Sequence, residues 1–156
     1  MTIDARDQRG GVYVEFLLAF FPMLLMFGAL LQLSLLATGG LLVEHAAVLA
    51  ARAAVVVVPD DPKFYDGAAV GSPTGRRLDD IRAAARTPLY AFERDPNPEV
   101  TFLSSRFADN ELVRVRVTYE YPCRLPLGGA LVCTNGGRFA LHGEAAMPNQ
   151  GAGYAY

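Results

Sequence analysis

Two histidines, His45 and His142, and two cysteines, Cys123 and Cys133, are the side chains best suited to metal binding or nucleophilic chemistry. His45 directly follows Glu44, and adjacent residues do not share a helix face. His142 and Glu144 would share one face of a strand, but two ligands fall short of the three or four protein groups of a zinc site. A satisfied or solvent-facing histidine is the simpler reading of both. The sequence suggests no Ser-His-Asp or Cys-His arrangement, and the glycines form no G-x-x-x-x-G-K-S/T phosphate loop. These patterns lead us to expect no enzyme, no metal and no cofactor. A formal net charge of −2 over 156 residues supplies no basic footprint, so nucleic acid is not an expected partner.

The cysteines are better used in a bridge. Cys123 and Cys133 bracket Arg124-Leu125-Pro126-Leu127-Gly128-Gly129-Ala130-Leu131-Val132. Closing a loop of this size stabilises a fold by roughly 3 kcal/mol on chain-entropy grounds. The alternative is a pair of free, buried thiols, because spacing alone does not establish geometry.

Glu15 is the other chemically informative residue. It stands at the start of residues 16–43, which contain no Asp, Glu, Lys, Arg or His. A carboxylate at the centre of a membrane helix costs about 2.5–3.5 kcal/mol on insertion scales, and less near the edge. Glu15 therefore either lies solvated in the headgroup layer or has a partner that offsets its charge. Just before it come Gly10 and Gly11.

The apolar run sets the organisation of the chain. About 20 apolar residues cross a hydrocarbon core of ~30 Å. Residues 16–43 extend roughly 42 Å as a helix, well beyond the core of an ordinary signal peptide. Pro22 should kink this helix or free one carbonyl, and Gly39-Gly40 reads as a loose joint at the membrane edge. Beyond it, an alanine-rich stretch interrupted by Glu44, His45 and Arg52 continues the helix as a stalk toward Pro59. The run Val55-Val56-Val57-Val58 is β-branched and is expected to leave helical geometry.

Arg6 and Arg9 precede the helix and favour a cytoplasmic N-terminus. A cysteine pair spaced to close a loop suits an oxidising compartment. Together they place the C-terminal domain outside the cytoplasm.

The remainder reads as a small α+β domain over residues 59–156. Residues 59–75 are rich in Pro, Asp and Gly and form a loop. Residues 76–86 form a short helix with Leu78, Ile81 and Ala85 at helical spacing, ended by Thr87-Pro88. Val113, Val115, Val117, Tyr119 and Tyr121 alternate with Arg114, Arg116, Thr118 and Glu120, the pattern of a half-buried strand. Residues 100–103 and 138–147 are its candidate neighbours. The simplest architecture is a roughly three-stranded antiparallel sheet packed by the helix of residues 76–86.

A polar leader ending in glycine, a glutamate as the fifth residue after it and an apolar helix resemble the class III leader of type IV pilin-like proteins. The string Gly10-Gly11-Val12-Tyr13-Val14-Glu15-Phe16-Leu17-Leu18-Ala19-Phe20-Phe21-Pro22 is similar to the start of the TadE/TadG-like pseudopilins of tight-adherence (Flp) pilus systems. Glu44-His45-Ala46-Ala47-Val48-Leu49-Ala50-Ala51-Arg52-Ala53-Ala54 resembles their helix end, and Leu141-His142-Gly143-Glu144-Ala145-Ala146-Met147-Pro148-Asn149 their closing strand. The likeness is good over residues 9–54, weaker over 111–149 and absent over 59–98. The chain departs from the pattern at Ala53-Ala54-Val55, where the family often has Gly-Ala-Arg.

The resemblance implies a minor pseudopilin of the inner membrane, associated with a pilus or its assembly, with a leader over residues 1–10, a transmembrane and stalk helix over 11–58 and an extracytoplasmic domain. A prepilin peptidase would cut between Gly10 and Gly11. Glu15 would then neutralise the new N-terminus of a neighbouring subunit. The implied partners are that peptidase, other pilins or pseudopilins, inner-membrane assembly proteins and the membrane itself. The other reading is an uncleaved single-pass anchor that presents a periplasmic binding module to another envelope complex.

Overall fold

The computed structural model describes residues 8–104, 107, 111–125, 132–133 and 136–149. Helix α1, Gln8–Val57, runs for 50 residues with Pro22 inside it. Two 3-10 turns, Pro62–Phe64 and Thr87–Ala91, flank α2, Arg76–Arg86. Strands β1, Glu99–Phe102, β2, Leu112–Pro122, and β3, Arg138–Pro148, follow in sequence and in space, giving an antiparallel sheet of order β1-β2-β3. In the β1–β2 ladder Val100 lies opposite Val117 and Phe102 opposite Val115. This is the expected α+β class.

The chain divides into two compact units. One joins α1 as far as Leu36 to Pro122–Phe139, and the other joins Ala37–Tyr121 to the chain from Ala140 onward.

In the second unit, the far part of α1 is the centre of the core. Val43, Ala46, Ala47, Ala50, Ala51, Ala54 and Val58 are all buried, at the three- and four-residue intervals that align side chains on one helix face. Their small size lets the sheet come close. Val113, Val115, Val117, Tyr119 and Tyr121 are buried on β2, while Arg114, Arg116 and Glu120 are exposed, the alternation read from the sequence. On β3, Leu141 and Gly143 are buried and His142 and Glu144 exposed.

Several expectations change here. Helix α2 touches β1 as expected, and β2 and β3 pack in addition on the far part of α1. The alanine-rich face of the helix, up to Val58, supplies core residues of the second unit. Gly39 is no loose joint: it is buried in α1 under Leu141, Phe92 and Tyr121. The valine run stays helical through Val57, and the Val58 N–H still donates to the Ala54 carbonyl at 3.0 Å. Burial of Val58 offsets the modest helix penalty of β-branching. On α2 the fully buried residues are Arg77, Ile81 and Ala85, with Leu78 only half-buried.

Candidate functional site

The first part of α1 presents an unbroken apolar surface. Val12, Tyr13, Phe16, Leu17, Leu18, Phe21, Met23, Met26, Phe27 and Leu30 are exposed. The most apolar window has a mean hydropathy of 2.2, and none of it is buried. This helix is long and apolar enough to cross a membrane.

Gly10 and Gly11 lie in the first turns of α1, and the space around Gly11 is open. The residues before position 8, the bulk of the expected leader, lie outside the described residues. Glu15 is exposed one turn beyond Gly11 and pairs with none of the described residues. Next to it, Val14, Leu17, Leu18, Phe21 and Pro22 line a shallow apolar groove. Pro22 has no N–H to give, so the Leu18 carbonyl four residues earlier has no helical donor. Phe16 stacks on Phe20 with ring centroids 5.3 Å apart. The arrangement is a carboxylate at the edge of an apolar, laterally open helix.

The cysteines form a disulfide, so the free-thiol alternative falls away. Its base is held by the Cys123 N–H, which donates to the Gly137 carbonyl at 2.8 Å. Gly136 and Gly137 both take positive φ in the turn leading to β3, a conformation that favours glycine.

The histidines do not assemble a metal centre. His45 is exposed on α1. The His142 Nδ1 stands 3.2 Å from the Thr118 hydroxyl, and Glu144 accepts from the Arg116 Nε at 2.6 Å. Among the described residues, no cluster of three or more His, Cys, Asp or Glu is placed to hold a metal ion.

Sequence reasoning passed over one polar cluster. Arg77 is fully buried and donates to the carbonyls of Asp60, at 2.8 Å, and of Ala69, and its guanidinium lies 4.8 Å from the centre of the Tyr65 ring. The Tyr65 hydroxyl donates to the Asp60 carboxylate at 3.2 Å. Burial and this hydrogen bond, with the Asp60 charge, raise the Tyr65 pKa above its ordinary value. Asp60, Lys63, Phe64, Tyr65, Arg76 and Asp80 line an open depression beside it, of mixed charge. The signal was available: Arg77, Ile81 and Ala85 recur every four residues, so Arg77 shares the apolar face of α2. Its role is to tie the 59–75 loop to that helix.

No family model, curated protein or solved structure matches the chain.

Proposed function

We propose that the protein is a minor pseudopilin, an assembly component of a tight-adherence (Flp-type) pilus, anchored in the inner membrane with its folded domain outside the cytoplasm. One observation carries this reading: an exposed carboxylate, Glu15, with no partner among the described residues, stands one turn after Gly10-Gly11 at the start of a laterally open apolar helix. The resemblance of residues 9–54 to the TadE/TadG-like family supplies the biological setting.

The mechanism has two steps. A prepilin peptidase hydrolyses the Gly10–Gly11 bond, which leaves a positively charged α-amino group on Gly11. Glycine on both sides lets the helical turn unwind into the extended form a protease holds. The new ammonium then pairs with Glu15 of a neighbouring subunit. In lipid each charge would carry a desolvation penalty of several kcal/mol, and side by side they offset it. The flanking apolar groove accepts side chains of that neighbour. The disulfide supports a domain in an oxidising compartment.

A second reading is an uncleaved anchor that presents a binding module to another envelope complex. The helical state of residues 8–11 favours it, since that turn must open before a peptidase can act.

Co-expression with a matching prepilin peptidase, followed by sequencing of the mature N-terminus, separates the two. A chain beginning at Gly11, with cleavage lost in Gly10→Val, is the expected result. A chain still beginning at Met1 under those conditions removes the pseudopilin reading and leaves the anchor.

A further inference from the structure

Residues 16–43 of α1 carry a single amide side chain, Gln32. A polar group on so apolar a helix is costly to leave without a hydrogen bond. Phe27, Leu30, Leu31 and Leu33 around it are exposed, yet Gln32 itself has 0% exposure. The compact unit that contains it joins this part of α1 to Pro122–Phe139, the stretch that holds the Cys123–Cys133 bridge. A hydrogen bond ties the two directly, because the Leu125 N–H donates to the Gln32 Oε1 at 3.3 Å.

Leu125 stands two residues past Cys123. Cys123 is held through its sulfur to the buried Cys133, and through its N–H to the Gly137 carbonyl at 2.8 Å. With the sulfurs joined, Cys123 cannot peel away and Leu125 is kept at the helix. With the sulfurs apart, Cys123 keeps its backbone bond but loses its covalent anchor. We propose that the bridge is a redox-sensitive clasp on α1. As a disulfide it holds Leu125 on Gln32 and keeps that amide covered; as a dithiol it releases Leu125 and uncovers the amide on the apolar helix.

The covalent step is thiol–disulfide exchange. A thiolate of an external dithiol attacks one bridge sulfur and breaks the S–S bond, which gives a mixed disulfide. The second thiol of that reagent then attacks the reagent's own sulfur, closes a new disulfide and expels the remaining cysteine. Two electrons and two protons pass to Cys123 and Cys133, and the external dithiol is oxidised. Linkage makes the clasp reciprocal: if the bridge favours the Leu125–Gln32 bond, that bond favours the bridge by the same factor. The Gln32 Nε2 has no acceptor among the described residues, so it supplies no second bond to fix the amide once Leu125 leaves. An uncovered amide on an apolar helix is a group through which helices hydrogen-bond to one another. The reduced chain thus gains a contact point that the oxidised chain hides. Neither leader cleavage nor Glu15 enters, so the clasp stands or falls apart from the pseudopilin reading.

Full-length protein in detergent micelles is equilibrated with mixtures of reduced and oxidised dithiothreitol, and free thiols are counted by alkylation and mass. In Gln32→Leu the equilibrium should move about two- to tenfold toward the dithiol, the factor for one net hydrogen bond. Leu33→Ala, at an exposed neighbouring position, should match wild type. The chain has three glutamines, so the Gln32 side-chain NH2 resonances are assigned by their loss in Gln32→Leu. A water-soluble gadolinium chelate and a micelle-dissolved doxyl fatty acid should both broaden them weakly while the bridge is closed. One of the two should act several-fold more strongly after reduction, and in the double change Cys123→Ser with Cys133→Ser. If Gln32→Leu loses the wild-type helical dichroism, Gln32→Met, which keeps the length without the amide acceptor, takes its place. Equal thiol–disulfide equilibria in wild type and the Gln32 variants overturn the coupling. Broadening by both agents that reduction leaves unchanged overturns the release.

Discussion

Gly143 of β3 lies directly on the backbone of Glu44 in α1: a Cβ at position 143 would stand 2.8 Å from the Glu44 nitrogen and Cα, and 2.6 Å from the Val43 carbonyl oxygen. Backbone has no rotamer with which to retreat, so a side chain here must push strand and helix apart. Gly143→Ala should destabilise the protein by about 1–3 kcal/mol or more, the range for overpacking a dense core. Urea unfolding of the full chain in detergent, followed by circular dichroism, measures it. A wild-type midpoint would mean that β3 does not rest on α1.

The neighbouring glycines of α1 should behave differently from each other. A Cβ at Gly40 meets nothing within 4 Å, and the helix there is regular. Gly40→Ala should therefore stabilise by up to about 1 kcal/mol through helix propensity alone. A Cβ at Gly39 would sit 2.9 Å from the Leu141 Cδ1, with Phe92 and Tyr121 close behind. Moving a leucine methyl consumes much of the same gain, so Gly39→Ala should fall clearly below Gly40→Ala in unfolding midpoint. Equal midpoints would contradict the packing of Gly39 under the sheet.

Arg77 should be intolerant of lysine. Its planar fork serves the Asp60 and Ala69 carbonyls together and faces the Tyr65 ring. An ammonium is a point charge and does not reproduce that fork. Leaving one or both buried carbonyls without a donor costs about 1–3 kcal/mol each. Arg77→Lys should lower the unfolding midpoint and increase cleavage within residues 59–75 under limited proteolysis, with cleavage at α2 itself unchanged.

The same cluster has a pH signature. The folded-state pKa of Tyr65 is raised by burial first, then by its hydrogen bond to Asp60 and the charge of that carboxylate. A raised pKa means that folding favours the neutral phenol. Its contribution is fully present below the unfolded value near 10 and is lost as pH rises through the higher folded value. Stability should thus fall in strongly alkaline solution, and Tyr65→Phe should flatten that part of the profile. Unfolding midpoints measured across the alkaline range, with phenolate absorbance as a second probe, test both. An unchanged slope in Tyr65→Phe would assign the alkaline loss elsewhere.

The features legible in the sequence were those written as a single period. Alternation along β2 marked the buried Val113, Val115, Val117, Tyr119 and Tyr121, and an uncharged run marked the exposed apolar part of α1. The partner of the sheet was not legible, because one helix does two jobs that hydropathy does not separate. Leu17 and Val43 are both apolar, yet one is exposed and the other is in the core. Only the change to alanine at Ala46, Ala47, Ala50 and Ala51 hinted that a close protein contact begins. Arg77 was missed because an arginine on a helix is ordinarily a solvated side chain. At the N-terminal site, Gly10, Gly11 and Glu15 are legible as a pattern, but the pattern carries a function only when a second molecule meets it.

The last expectation concerns the bridge, which joins residues 10 apart and whose base is tied to the turn before β3. Cutting it should act locally. Chain-entropy reasoning for a loop near this size gives roughly 3 kcal/mol, spent on restricting a short segment. The core of the second unit, from Val43 and Ala47 to Val115 and Val117, contains neither cysteine and should not depend on that restriction. Reduction should therefore expose two thiols to labelling where there were none before, and speed tryptic cleavage after Arg124. The aromatic packing of Phe92 against Tyr121, at 5.1 Å between ring centroids, should keep its near-ultraviolet dichroism. The double change Cys123→Ser with Cys133→Ser should reproduce the reduced protein without reductant. Loss of the near-ultraviolet signal in either case would show that the bridge stabilises the sheet itself, and would make the two units one cooperative structure.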